Sequence, residues 1–355
     1  MTYKILVINP GSTSTKVALF ENNSIKYTEN LIHSTSLISS FPSLWDQFSF
    51  RLESIIDFTR THSINLNELS AIVGRGGLLK PVSGGTYEVN AVMLEDAKKG
   101  IRGQHASNLG CALAYELASK YGTRAFIVDP VSTDEFEPLA RYSGHPLIER
   151  SSLSHTLNIH AVGRRAAQEL NCDYLKSNFI VAHLGGGISI CPLKHGKIID
   201  VNDASSSGPF SPDRTGELPL QPFIGLCFSG KYSKDQMKRL VMGEGGLMAY
   251  LGTSDAKEVE RRIDIGDDQA RTVYQAMAYQ IAKEIGAMST VLKGDIKAIV
   301  LSGGLVKSTM LVEWISGRVQ FIAPILVFQE DYELEAMATG ALRVLMGDEK
   351  VKEYI

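Results

Sequence analysis

Ile5-Leu6-Val7-Ile8-Asn9-Pro10-Gly11-Ser12-Thr13-Ser14-Thr15-Lys16-Val17-Ala18-Leu19-Phe20 is an apolar run broken by Asn-Pro-Gly, a row of hydroxyls and a lysine before apolar character resumes. That pattern predicts a buried strand, a tight hairpin and a second strand. Gly11 lets the backbone approach a ligand closely, and Ser12, Thr13, Ser14 and Thr15 crowd hydroxyl donors around the turn. Lys16 adds a point charge. Backbone N–H groups, hydroxyls and one ammonium together form a phosphate clamp, although an ordinary surface hairpin draws on the same residue types.

The form recurs in the second half. Asn178 to Ile190 again reads as strand, glycine turn (Gly185-Gly186-Gly187) and strand, with a further hairpin at Gly196-Lys197 before Ile198 to Val201. A third strand, Ala298 to Leu301, runs into Ser302-Gly303-Gly304-Leu305. Between these units lie predicted strands at Ser24–Leu31, Ala71–Val73 and Arg124–Val128. Predicted helices cover Leu44–Thr61, Ala106–Tyr121, His155–Leu170, Thr272–Leu292 and Glu333–Met346. Alternating strands and helices define an α/β chain, and the repeated unit suggests two duplicated domains facing each other across a cleft.

The bulk composition narrows the class. At 355 residues the chain is long enough for two domains, and 44% hydrophobic with 21% charged residues is ordinary globular material. A net charge of -3 without any Lys/Arg-rich tract argues against a nucleic-acid surface. Cys111, Cys172, Cys191 and Cys227 are scattered without CxxC spacing, which fits a reducing cytosol rather than a zinc knuckle or a disulfide framework. The chain enters a strand without a charged n-region or an apolar h-region, and no apolar run reaches the roughly 20 residues of a membrane span. A cytoplasmic protein that binds no membrane is the expectation. P-loop, GxGxxG, GxSxG and HExxH motifs are all missing from the sequence.

Six blocks carry a family resemblance: Asn9 to Lys16, Val73-Gly-Arg-Gly-Gly-Leu-Leu-Lys-Pro81, Asp129-Pro-Val131, His183-Leu-Gly-Gly-Gly187, Gly208-Pro-Phe-Ser-Pro-Asp-Arg-Thr-Gly216 and Leu301-Ser-Gly-Gly304. Their order resembles the acetokinase family of the actin/sugar-kinase superfamily, in its butyrate-kinase branch, over essentially the whole chain. The resemblance implies two duplicated ribonuclease-H-like domains flanking an ATP cleft. It divides the chain into residues 1–132, joined by a C-terminal helix at 334–355, and residues 133–333 with the nucleotide-binding elements. It implies reversible phosphorylation of a short-chain carboxylate by ATP with magnesium, giving an acyl phosphate and ADP, in at least a dimer.

By the same resemblance, Asn9, Ser12 and Lys16 lie near the transferred phosphate, and Arg75 holds the substrate carboxylate. Asp129 is catalytic and serves magnesium, and Arg214 meets the phosphoryl group in transfer. Gly185, Gly186, Gly187 and His183 approach the β- and γ-phosphates, while Gly303 and Gly304 flank the adenosine. In place of a compact His-Gly-Thr-Ser-His this chain has His155-Thr-Leu-Asn-Ile-His160, so either His155 or His160 could contact phosphate. In place of Asn-Glu-Glu it has Gln329-Glu-Asp-Tyr-Glu-Leu-Glu335, where Glu333 is favoured for magnesium over Glu330, Asp331 and Glu335. A carboxylate titrates near 4, so at pH 7 it is already a nucleophile and needs no general base. Acetate, propionate or branched-chain acids are the alternative substrates of the same fold. A non-catalytic actin-like ATP-binding protein is the alternative from another class.

Overall fold

The computed structural model describes residues 2–205 and 207–355. β1 (Lys4–Pro10) pairs antiparallel with β2 (Ser14–Glu21), placing Asn9 opposite Lys16 and Pro10 opposite Thr15. β3 (Ser24–Ile32) follows a turn at Asn22, which adopts φ 53°. Then come α1 (Thr35–Ser40), a 3₁₀ turn at Trp45–Gln47, α2 (Phe48–Thr61), β4 (Ala71–Arg75), β5 (Thr86–Glu88), α3 (Ala91–Lys99), α4 (Asn108–Tyr121) and β6 (Arg124–Val128). These strands form one sheet in the order β3-β2-β1-β4-β6-β5, with β1, β4 and β6 parallel.

The following segment builds the second sheet. α5 (Thr156–Glu169) leads to β7 (Asn178–Leu184), β8 (Ile188–Lys194) and β9 (Lys197–Ile198). Five helices come next: α6 (Leu220–Cys227), α7 (Lys234–Val241), α8 (Gly246–Leu251), α9 (Ala256–Asp264) and α10 (Asp268–Val291). β10 (Ala298–Ser302), α11 (Thr309–Val319) and β11 (Ile325–Phe328) complete it, in the order β11-β10-β7-β8-β9 with β7, β10 and β11 parallel. In both sheets an antiparallel three-strand meander is extended, beside its first strand, by parallel strands reached through helices. This is the ribonuclease-H-like topology, present twice.

The last helix, α12 (Glu333–Met346), returns to the first sheet. One compact unit comprises Met1–Asp134, Thr156–Asn158 and Tyr332–Ile355, and the other Glu135–His155 and Ile159–Asp331.

Each unit explains its own sequence pattern. In the first, Leu6 and Ile8 pack with Ile55, Phe58, Leu113 and Leu117 of α2 and α4, while Ile5 and Val7 pack with Met337, Ala338 and Ala341 of α12. Both faces are covered, so the run is continuously apolar rather than alternating. α4 reaches backbone contact with β4 because a Cβ at Gly74 would lie 2.0 Å from the Gly110 carbonyl oxygen. In the second unit, α10 and α11 cover one face through Tyr274, Met277, Ile281, Leu311 and Ile315. α5 closes on β8, where a Cβ at Gly163 would meet Leu193 at 2.4 Å.

Candidate active site

Parallel strands present their carboxyl ends together, and in open α/β sheets ligands collect there. In the first unit the ladder sets Ile8 beside Gly74 and Gly74 beside Ile127, so Asn9, Arg75 and Asp129 all emerge at one edge. Strand alternation sends Asn9, Lys16 and Arg75 to the face covered by α12, whose first residue is Glu333. Arg75 Nη1 lies 2.9 Å from Glu333 Oε1, and Asn9 Nδ2 donates to Glu333 Oε2 at 3.0 Å. The Arg75 side chain is only 10% exposed. Its Nε and Nη2 donate to no protein acceptor among the described residues.

Asp129 follows β6 with φ 40°, an uncommon backbone for a non-glycine residue. Two bonds with Gly85 hold it there: Asp129 N–H donates to the Gly85 carbonyl at 3.0 Å, and Gly85 N–H donates to Asp129 Oδ1 at 2.6 Å. A carboxylate 3% exposed, at a strand end and in a sparsely populated conformation, is the kind of residue that functional sites retain.

The second unit gathers a separate group. The rings of His155 and His183 stack with centroids 4.1 Å apart, and His155 Nδ1 lies 2.9 Å from Ser189 Oγ. A Cβ at Gly185 would come within 3.4 Å of His183 Nε2, and one at Gly187 within 2.5 Å of Arg214 Nη1. Imidazole and guanidinium therefore flank the same glycine turn. Arg214 sits in an ordered loop: Ser211 N–H donates to its carbonyl at 3.0 Å, and its Nη1 donates to Ala204 O at 2.8 Å. His160 is placed elsewhere, 2% exposed, with Nδ1 2.7 Å from the Tyr174 hydroxyl.

His105 is a neighbour of Arg75 that no periodicity or motif marks. Its Nδ1 accepts the Ser107 N–H at 3.2 Å. Desolvation, and then the charge of Arg75, holds this imidazole below its usual range. A neutral ring beside the guanidinium can donate to an anion without adding charge.

A profile described as the acetokinase family matches residues 147–341, more than half the chain. A Caldanaerobacter subterraneus subsp. tengcongensis protein named probable butyrate kinase 2 is 51% identical over 352 residues, covering 99% of each chain. The chain belongs to the acetokinase family. Acetate kinase of Porphyromonas gingivalis superposes with a TM-score of 0.80 at 18% identity, covering 97% of this chain and all of that one. A propionate kinase from Francisella tularensis subsp. tularensis gives 0.75 at 19% identity, covering 95% and 98%. At that distance the likeness is one of fold, the actin/sugar-kinase type.

Within this acetokinase-family chain the two glycines after β10 are physically unequal. Gly303 has φ 93°, and a Cβ there would strike the Leu184 carbonyl oxygen at 2.4 Å. A Cβ at Gly304 would meet nothing within 4 Å. Gly303→Val should therefore lose stability by several kcal/mol through backbone strain and collision. Gly304→Val should fold normally and bind ATP poorly. Unchanged ATP affinity by calorimetry in a folded Gly304→Val protein would remove Gly304 from the adenosine site.

Proposed function

We propose that the chain is an ATP- and magnesium-dependent carboxylate kinase whose preferred substrate is butyrate or a similar short acid. The observation that carries this reading is Arg75. It is a largely enclosed guanidinium at a sheet's carboxyl edge, paired on one side with Glu333 and offering Nε and Nη2 on the other. That fork matches a carboxylate in two bonds. The 51% identical relative named probable butyrate kinase 2 supports the acid's size class.

A carboxylate attacking the γ-phosphorus of ATP forms one O–P bond as the bond to the β-bridging oxygen breaks, and ADP leaves with that electron pair. No proton needs to move. What the protein supplies is position and charge. Arg75 fixes the attacking oxygen, with Asn9 and Lys16 beside it. Arg214 and the stacked His155 and His183 face the phosphates, together with the N–H groups of Gly185 to Gly187. His155 is preferred over His160 for that contact, because Tyr174 holds His160 in the interior.

The donor set suits magnesium. Among the described residues no three His, Cys, Asp or Glu side chains could form an all-protein cage. Magnesium commonly takes one or two carboxylates and fills the remainder with water and phosphate oxygens. Asp129 and Glu333 would hold it, and it would neutralise phosphate charge.

The test is turnover and Michaelis constants across acetate, propionate, butyrate, isobutyrate and valerate, for the parent and for Arg75→Ala. Neighbouring acids should differ by about 1–3 kcal/mol in transition-state binding, with butyrate best. The substrate is anionic before and during transfer, so Arg75 should act mainly on binding. Hydrogen bonds to charged groups contribute about 1.5–3 kcal/mol. Removing Arg75 should raise the butyrate Michaelis constant roughly 10- to 100-fold. An unaltered constant would remove Arg75 from the carboxylate.

A further inference from the structure

Behind the β1–β2 turn lies a charge that the chemistry above does not use. Arg51 is fully buried, at 0% exposure, on the inner stripe of α2 with Ile55, Phe58 and Thr59. Its Nη1 donates to the Ser14 carbonyl and to Thr15 Oγ1, both at 2.9 Å. Nη2 donates to the Ser12 carbonyl at 3.2 Å and to Gln47 Oε1 at 3.0 Å, and Nε to Gln47 Oε1 at 3.1 Å. Each of these acceptors is neutral. No carboxylate pairs with Arg51 among the described residues. Thr15 Oγ1 also lies 2.9 Å from His33 Nε2, and burial followed by the Arg51 charge keeps that imidazole neutral at pH 7.

A buried charge without a counter-charge is expensive, and apolar replacements of buried ionic groups are often neutral or stabilising. Fold stability alone is therefore a weak reason for a guanidinium here. The turn gives a stronger one. Carbonyl and N–H point to opposite sides of a trans peptide. Arg51 draws in the carbonyls of Ser12 and Ser14, the His33 N–H takes the Thr13 carbonyl at 2.8 Å, and the Gly11 N–H also reaches Ser14 O at 2.8 Å. All three acceptors of the turn are occupied from inside. The Thr13 N–H shares its peptide with the inward Ser12 carbonyl and is thereby turned outward, and the N–H groups of exposed Ser12 and Thr13 donate to no protein acceptor among the described residues.

We propose that Arg51 is a positioning residue for phosphate handling: it holds the Ser12–Thr15 turn with its donors outward, and its buried charge is offset when an anion binds that turn. This rests on the reading that the turn takes phosphate. Full-length Arg51→Lys, Arg51→Met and the milder Gln47→Leu are compared with the parent in thermal unfolding and in separate turnover and Michaelis constants. Hydrogen exchange across residues 5–19 is followed with and without magnesium adenylyl imidodiphosphate. In the parent, the nucleotide should slow exchange at the turn. Folded Arg51→Lys should lose that protection and about 100-fold in turnover, the cost of a misplaced group, with the butyrate constant within about twofold. Gln47→Leu should move the same way by less. Parent-like turnover and protection in folded Arg51→Lys and Gln47→Leu would overturn the proposal, whatever becomes of Arg51→Met. A parent turn that gains no protection would remove the phosphate reading and this proposal with it, whereas protection in all the proteins would remove this proposal alone.

Discussion

Arg214→Ala should lose on the order of 10³-fold in turnover, as arginines at transferring phosphoryl groups do, with little change in the Michaelis constant for the carboxylate. Charge on the γ-phosphoryl oxygens peaks in flight, so a guanidinium aimed there lowers the barrier more than it tightens ground-state binding. Two contacts restrain the side chain. Its Nη1 is anchored to Ala204 O at 2.8 Å, and the guanidinium lies against Gly187, where any Cβ would intrude. Lysine should restore activity only in part, because a point ammonium cannot hold Ala204 and reach a phosphoryl oxygen with one planar fork. Separate turnover and Michaelis constants decide the matter. A variant that loses only carboxylate affinity would give Arg214 the role assigned here to Arg75.

Asp129→Asn is expected to keep the fold and nucleotide binding yet lose about 10²-fold or more in turnover, the scale of removing one electrostatic contributor at a reacting centre. Asparagine tolerates the positive φ of 40° at this position and can still accept the Gly85 N–H through its side-chain oxygen. The substitution therefore removes charge and little else. Turnover measured against magnesium concentration is the informative experiment, and the variant should need more magnesium. Activity within a few-fold of the parent at every concentration would reduce Asp129 to a turn residue before Pro130.

The residues that were legible in the sequence share a physical cause. The hairpin from Ile5 to Phe20 announces itself because a strand buried on both faces is apolar at every position, so its interruption is abrupt. The glycines at 185–187 and 303–304 stand out for the same reason, coming straight after β7 and β10. What the sequence hid was mostly short or half-covered. β5 has three residues, β11 is largely only part-buried, and α6 buries no side chain of its own. Arg51 was hidden by its chemistry. It stands at the first position of the stripe 51, 55, 58 facing the core, but a cation there reads as an interruption of the apolar pattern, and the only partly buried Trp45, Phe48 and Leu52 offer a competing apolar set. Arginine at an inward helical position, with a glutamine four residues before it, was the available signal. The pairing of Glu333 with Arg75 could not be read from Gln329 to Glu335, where four carboxylates compete within six residues. It follows from how α12 packs, since Gly340 lets that helix lie directly on Val128.

The most direct measurement is chemical capture of the product. Purified full-length protein is incubated with butyrate, ATP, magnesium and hydroxylamine, and butyryl hydroxamate is measured alongside ADP. The expected result is hydroxamate in step with ADP, dependent on both the acid and the metal and lost in Arg214→Ala. ATP binding without any hydroxamate, from butyrate or from the shorter and branched acids, would contradict the assignment and point to a nucleotide-binding protein without transfer chemistry.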